Sequence, residues 1–250
     1  IWSRLVGSEM CIRDRLATHW LRFKRPILWT YNPLTTLYLD LNRFAASVYH
    51  CVDRIQDQPG MPQTRIEVNE QRLAQRVNVL FTTSPELQST HLRWHPGARM
   101  FGNVADHRHF SQALQPLPCP SAMRQTLHPR LLFMGAIDAY KLDLHLLHQL
   151  ILLHPEWTFV LIGPVGECDP STDVAPLKAC PNVHLVGPQA YNTLPAWLSN
   201  GDVALLPLQL NGYTRNMFPM KFFEYLSAGL PVVATAIPAL AAHGDVAWLC

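Results

Sequence analysis

Short apolar runs alternate with longer amphipathic stretches along most of this chain. Pro26–Tyr31, Ala46–Asp53, Asn78–Ser84 and Arg99–Gly102 are too short for helices and rich in β-branched and aromatic residues, so they predict strands. Arg65–Arg76 is charged at helical spacing and free of Gly and Pro, which predicts a helix with an exposed face. Leu34–Phe44 also reads as helical, and Pro85 opens another helix. Further on, Arg130–Gly135, Trp157–Gly163 and Asn182–Gly187 predict three more strands. Asp143–His154 between them is a helix that turns Leu144, Leu147 and Ile151 inward, and Leu194–Ser199 is a short helix. Val246–Cys250 reads as the start of a last strand. Alternating strands and helices predict an α/β fold with parallel sheets.

The segment Gly201–Ile237 gives the clearest pattern. Asp202–Pro207 is a buried-strand run, Asn211–Phe218 a loop, Met220–Ala228 a helix entered through Pro219, and Val232–Thr235 a second strand. Gly229 stands where a left-handed residue closes a helix. Such a βαβ unit binds ligands outside the carboxyl ends of its strands. Arg215, Lys221 and Glu224 fall at that end. On spacing alone Lys221 and Glu224 could equally be an exposed i,i+3 ion pair worth only about 0.2–0.5 kcal/mol.

Leu114–Pro129 holds four prolines with little periodicity and reads as an extended linker. It divides the chain into residues 16–113 and 130–250. The 250 residues are 48% hydrophobic and 15% charged, which fits packed globular domains. A net charge of +2 gives no general field for nucleic acid, and no partner of that kind is expected. The six cysteines form no C-x-x-C pair, so a reducing cytoplasm is expected. No apolar run approaches the ~18 residues of a membrane span.

The string F-P-M-K-F-F-E-Y-L-S-A-G-L-P-V-V-A-T, preceded by F-M-G-A-I-D, P-E-W-T-F-V-L-I-G-P and P-N-V-H-L-V-G-P, resembles the donor-binding domain of bacterial retaining glycosyltransferases. These are the GT-B enzymes of family 4, the "glycosyl transferases group 1" type. Y-H-C-V-D, L-F-T-T-S-P-E-L and F-G-N-V-A-D-H-R-H-F are similar to the closing units of the acceptor-binding domain. The resemblance covers roughly residues 26–250. It implies two Rossmann-like domains facing a cleft, the first incomplete.

It also implies roles. Glu224 would hold the ribose hydroxyls, and Lys221, Lys141 and Arg215 the diphosphate. Gly135 would lie against the donor after the first strand of the second domain, and the Gly187-Pro188 loop along the base. Where many relatives carry a Glu eight positions before Glu224, this chain has Asn216, so the sugar contact would pass to Asn216 or to backbone N–H groups of Thr214–Met217. His50 and Asp53 are the weak candidates for the reaction centre, against a packed histidine and a structural Asx turn. Catalytic residues are otherwise not assigned.

The implied activity is transfer of a sugar from a nucleotide-sugar donor to a glycan or lipid-linked acceptor, in cell-surface polysaccharide synthesis. A nucleotide-sugar 2-epimerase and a non-catalytic sugar-nucleotide-binding protein are the alternatives. No cofactor and no metal are expected. His91 and His95, with His107 and His109, have a suggestive spacing, but they lie in loop-like sequence with Pro96 between, and no Cys or Glu completes the set. The expected location is the cytoplasm, with peripheral contact at the inner membrane face. Leu5–Arg15 resembles a translated sequencing adapter, so residues 1–15 are expected to be foreign, and the chain is expected to be an inactive piece of a longer protein.

Overall fold

The computed structural model describes residues 24–250, so the reading of residues 1–15 lies outside the described residues. The chain divides into two compact units, the boundary falling between Gly102 and Asn103.

The first unit is a four-stranded parallel sheet in the order β1-β2-β3-β4. Its strands are β1 (Ile27–Thr30), β2 (Ala46–Cys51), β3 (Val79–Thr82) and β4 (Arg99–Met100). Helix α1 (Gln63–Ala74) connects β2 to β3, and α2 (Pro85–Leu92) connects β3 to β4. Ser84 starts α2, its hydroxyl accepting the Leu87 N–H at 3.2 Å, as the S-P-E sequence dictates. Leu73, Ala74 and Leu87 from the helices pack on Tyr49, Cys51 and Leu80 of the strands.

One expectation changes here. Leu34–Phe44 is not one helix but two 3-10 turns, Thr35–Leu37 and Leu41–Arg43. Local side-chain bonds win: Asn32 Oδ1 accepts the Leu34 N–H and Asp40 caps Asn42, each restarting the chain. Helix α1 has a polar inner side, because Asn69 and Glu70 are buried with Ile66 and Leu73.

The second unit is a six-stranded parallel sheet, β10-β9-β8-β5-β6-β7. Its strands are β5 (Arg130–Met134), β6 (Thr158–Ile162), β7 (Val183–Gly187), β8 (Val203–Leu206), β9 (Val232–Ala234) and β10 (Trp248–Leu249). Counted within the unit, this is the 3-2-1-4-5-6 order of a dinucleotide-type fold, with the order reversing between β5 and β8. All five residues of β5 and of β6 are buried, as in a sheet covered on both faces. The helices are α3 (His107–Phe110), α4 (Leu144–Leu153), α5 (Ala175–Lys178), α6 (Leu194–Leu198), α7 (Gly212–Asn216) and α8 (Met220–Ser227). In α4 Leu147 and Ile151 are the buried residues, on the side the periodicity indicated.

The stretch expected to link two domains is instead part of the second one, and the first domain ends at Gly102 rather than at residue 113. Phe110, Ala113 and Met123 belong to the second core. The Leu117 N–H donates to Ser199 Oγ and its carbonyl accepts from Asn200 Nδ2. The buried Arg130 guanidinium donates to the carbonyls of Met123 and Thr126. Prolines made this stretch irregular, not detached.

Candidate nucleotide-sugar site

The β5–β8 ladder covers only Leu131↔Val203 and Leu132↔Ala204, whereas β5 stays paired with β6 through Met134↔Ile162. Beyond Leu132 the sheet opens on the β8 side. The Met134 N–H freed there donates to the Tyr225 hydroxyl at 2.7 Å. Tyr225 is fully buried on α8, so this bond fixes α8 across the opening, at the place where such sheets bind ligands. Burial pushes the Tyr225 phenol above its ordinary range; the Met134 amide opposes this and the Glu224 charge adds to it.

Helix α8 then presents Lys221 and Glu224. Their side chains meet at 2.8 Å, with Glu224 4% and Lys221 33% exposed. A carboxylate so deeply buried is not half of an ordinary surface pair. Gly135 stands beside them: a Cβ there would lie 4.0 Å from Lys221 Cε, and its φ is +155°. Gly163, after β6, is held tighter. A Cβ there would come within 2.0 Å of the Gly135 carbonyl oxygen. The Gly135 N–H donates to Ile162 O and the Gly163 N–H to Gly187 O, so the strand ends of β5, β6 and β7 form one backbone floor. Gly163 was not singled out from sequence, although it is the glycine of the P-E-W-T-F-V-L-I-G-P string.

The loops after β5 and β8 are tied together on the other side. Asp143 N–H donates to Pro207 O and Gln209 N–H to Lys141 O, and Asn211 Nδ2 donates to Tyr140 O. Lys141 lies over the rings of Tyr140 and Tyr213, 5.1 and 5.8 Å from their centroids. Its ammonium is 3.8 Å from Asp138 Oδ2. Asp138 is fully buried and its Oδ1 accepts the N–H groups of Cys168 and Asp169. Sequence reading missed Asp138, though it closes the F-M-G-A-I-D string three residues before Lys141.

The Asn211–Phe218 loop contains α7, a short helical turn. Asn211 and Thr214 cap it reciprocally: the Asn211 side chain accepts the Thr214 N–H, and the Asn211 N–H donates to Thr214 Oγ1. Arg215 projects exposed from this turn, while Asn216 Nδ2 donates to Gly212 O at 2.7 Å. Thus Gly135, Lys221 and Glu224 come together, the loop carrying Lys141 is tied to that carrying Arg215 and Asn216, and Gly187 joins through the backbone floor.

His50 and Asp53 belong to the first unit. His50 packs against Trp29, Tyr31 and Phe81, and neither ring nitrogen has a hydrogen-bond partner among the described residues. Burial lowers its pKa. The Cys51 thiol reaches toward the Asp53 carbonyl at 3.7 Å. His91 is buried with its ring nitrogens at Leu87 O and Glu70 Oε1, and His107 and His109 lie in the second unit.

The two parallel-sheet units match the GT-B architecture of solved glycosyltransferases. Residues 128–250, within the second unit, match the family model described as glycosyl transferases group 1. A Bacillus subtilis protein named as a teichuronic acid biosynthesis glycosyltransferase, TuaH, is 34% identical over 106 residues, which are 42% of this chain and 26% of that protein. The match thus spans about a quarter of that relative. Anabaena HepE, solved in complex with UDP-glucose, superposes with a TM-score of 0.71 at 15% identity, over 100% of this chain and 70% of HepE. WaaG, a glycosyltransferase involved in lipopolysaccharide biosynthesis, gives 0.62 at 15% identity, over 95% of this chain and 66% of WaaG. At such identity these structures speak for the fold. No helix among the described residues is long and apolar enough to cross a membrane.

Proposed function

We propose that the protein transfers a sugar from a nucleotide-sugar donor to a glycan or lipid-linked acceptor of the cell surface, with retention at the sugar carbon. The observation that carries this reading is the buried Glu224 carboxylate, held by Lys221 beside the Gly135 backbone at the opening between β5 and β8. A carboxylate there can accept two vicinal ribose hydroxyls. Lys221, Lys141 and Arg215 supply cations for the two phosphates, where a charge-assisted hydrogen bond contributes about 1.5–3 kcal/mol. The backbone after Gly187 would follow the base. HepE was solved with UDP and with UDP-glucose, which favours a uridine donor.

Retention is what the resemblance to the group 1 enzymes implies, and the site's cations are compatible with it. The acceptor hydroxyl attacks from the side the nucleotide leaves. Its proton goes to the departing phosphate oxygen, and the developing diphosphate charge is met by the lysines and arginine. No side-chain nucleophile is needed. His50 and Asp53 are the first-unit candidates for contact with the reacting sugar, and the donor diphosphate is held by cations of the chain rather than by a metal. The protein would work in the cytoplasm, at the inner membrane face when its acceptor is lipid-linked.

Calorimetric titration of the chain with UDP and with uridine tests the donor half. UDP is expected to bind at least tenfold more tightly, about 1.4 kcal/mol. Equal affinities would remove the phosphate role of the three cations. Radiolabelled UDP-sugars with and without a glycan acceptor test the transfer: a 2-epimerase would convert the sugar with no acceptor present.

A further inference from the structure

The first unit holds a cluster that the donor site does not use. Cys51 ends β2, Glu70 lies on α1 and His91 on α2, and all three are at most 2% exposed. One sulfur, one oxygen and one nitrogen of these side chains lie within 4.8 Å of one another. Their sequence separation hid them, since His91 meets a Cys and a Glu 40 and 21 residues upstream rather than a neighbouring histidine.

Hydrogen bonding alone accounts for the cluster poorly. Glu70 Oε1 is approached by the Tyr49 hydroxyl at 2.6 Å, by Cys51 Sγ at 3.4 Å and by His91 Nε2 at 3.3 Å. The hydroxyl and the thiol already fill the two places that one carboxylate oxygen offers, while Oε2 receives only Gln56 Nε2 at 3.0 Å. His91 Nδ1 lies 2.7 Å from the Leu87 carbonyl oxygen, so it carries the ring proton and donates it. A neutral ring would turn an Nε2 lone pair toward an oxygen that also holds lone pairs, and an imidazolium would add a third donor at that oxygen. A cation between them resolves both problems.

We propose that Cys51, Glu70 and His91 are three ligands of a structural zinc ion, completed by a water or by the Tyr49 hydroxyl. The donor set is one zinc prefers, and bonds of ~2.0–2.3 Å in a tetrahedron set ligand atoms roughly 3.3–3.8 Å apart. The two ligand separations given above, 3.3 and 3.4 Å, fall in that range. A thiolate and a carboxylate balance the ion, so no net charge is left in the interior. The outer partners are in place: Leu87 O orients the imidazole and Gln56 holds Oε2. Loading must displace the thiol proton, so affinity must fall on acidification. The ion would clamp α1 and α2 to the end of β2.

The test uses the 250-residue chain, stripped with chelator and then titrated with Zn2+ or Co2+. One equivalent is expected to bind, Co2+ giving a thiolate charge-transfer band and Zn2+ raising the thermal midpoint. Cys51→Ser is expected to abolish the band, and His91→Gln to weaken binding at least ~100-fold. The wild-type band and midpoint decide the matter if a variant fails to fold. A folded chain that binds no Co2+ through thiolate, or a band that survives in Cys51→Ser, would overturn the proposal and leave a proton-bridged network.

Discussion

Glu224 and Lys221 touch each other but answer to different solvents. The carboxylate is 4% exposed and the ammonium 33%, so a change at Glu224 is felt in the interior and one at Lys221 is screened. Glu224→Gln keeps the shape and an oxygen for Lys221 while removing the charge that would hold ribose. UDP affinity is expected to drop at least tenfold, about 1.4 kcal/mol. Unchanged affinity by calorimetry would return the pair to a purely structural role. Tyr225 gives a second prediction at this scale. Its phenol is raised in the folded chain above the unfolded value of about 10. The folded state therefore keeps a proton that the unfolded state loses. The stabilisation is complete below pH 10 and declines as pH rises beyond it, by at most about 1.4 kcal/mol per unit. Tyr225→Phe lacks this term. Urea unfolding at pH 8.5 and 10.8 should show the wild-type advantage shrinking, and an advantage that stays constant would refute the assignment.

Among the elements, the strand-end glycines separate by what surrounds them. Gly163 has φ +144° and its absent Cβ would sit 2.0 Å from the Gly135 carbonyl oxygen. Gly187 has φ +70° and nothing within 4 Å of that position. Gly163→Ala is thus expected to cost roughly 3 kcal/mol or more and to displace the Gly135 backbone from the site, whereas Gly187→Ala should cost only ~1–2 kcal/mol. Chemical denaturation of the two variants checks this order, and similar losses would sink it. The same comparison shows what could be read from sequence. Strands, the α4 inward face, Gly229 at φ +77° and the Lys221–Glu224 pair were legible because period and local chemistry set them. The α7 turn was not, since its reciprocal cap lies in a stretch with the composition of a loop. Nor was the Tyr225–Met134 bond, which spans 91 residues, or the Cys51–Glu70–His91 cluster, which requires three elements to be folded first.

At the scale of the whole chain, the boundary at Gly102 makes a prediction that a boundary near residue 130 does not. Residues 103–250 contain every buried group of the second core, including Phe110 and Met123, each 0% exposed. A piece starting at 130 loses both of those side chains, and burial of each contributes about 1.5–3 kcal/mol before any cavity term. It also strips Arg130 of its bonds to Met123 O at 2.8 Å and Thr126 O at 2.9 Å. Arg130 is only 7% exposed as folded, and each hydrogen bond lost from its charged donor is worth about 1.5–3 kcal/mol. Ser199 and Asn200 would in turn lose Gln115 and Leu117. Together these losses approach the whole stability of an ordinary domain, about 5–15 kcal/mol. Residues 103–250 expressed alone should therefore unfold in one cooperative transition and bind UDP within about threefold of the full chain. Residues 130–250 should show no such transition. Cooperative melting of the shorter piece by circular dichroism would mean that residues 103–129 only lie on the second unit without holding it together.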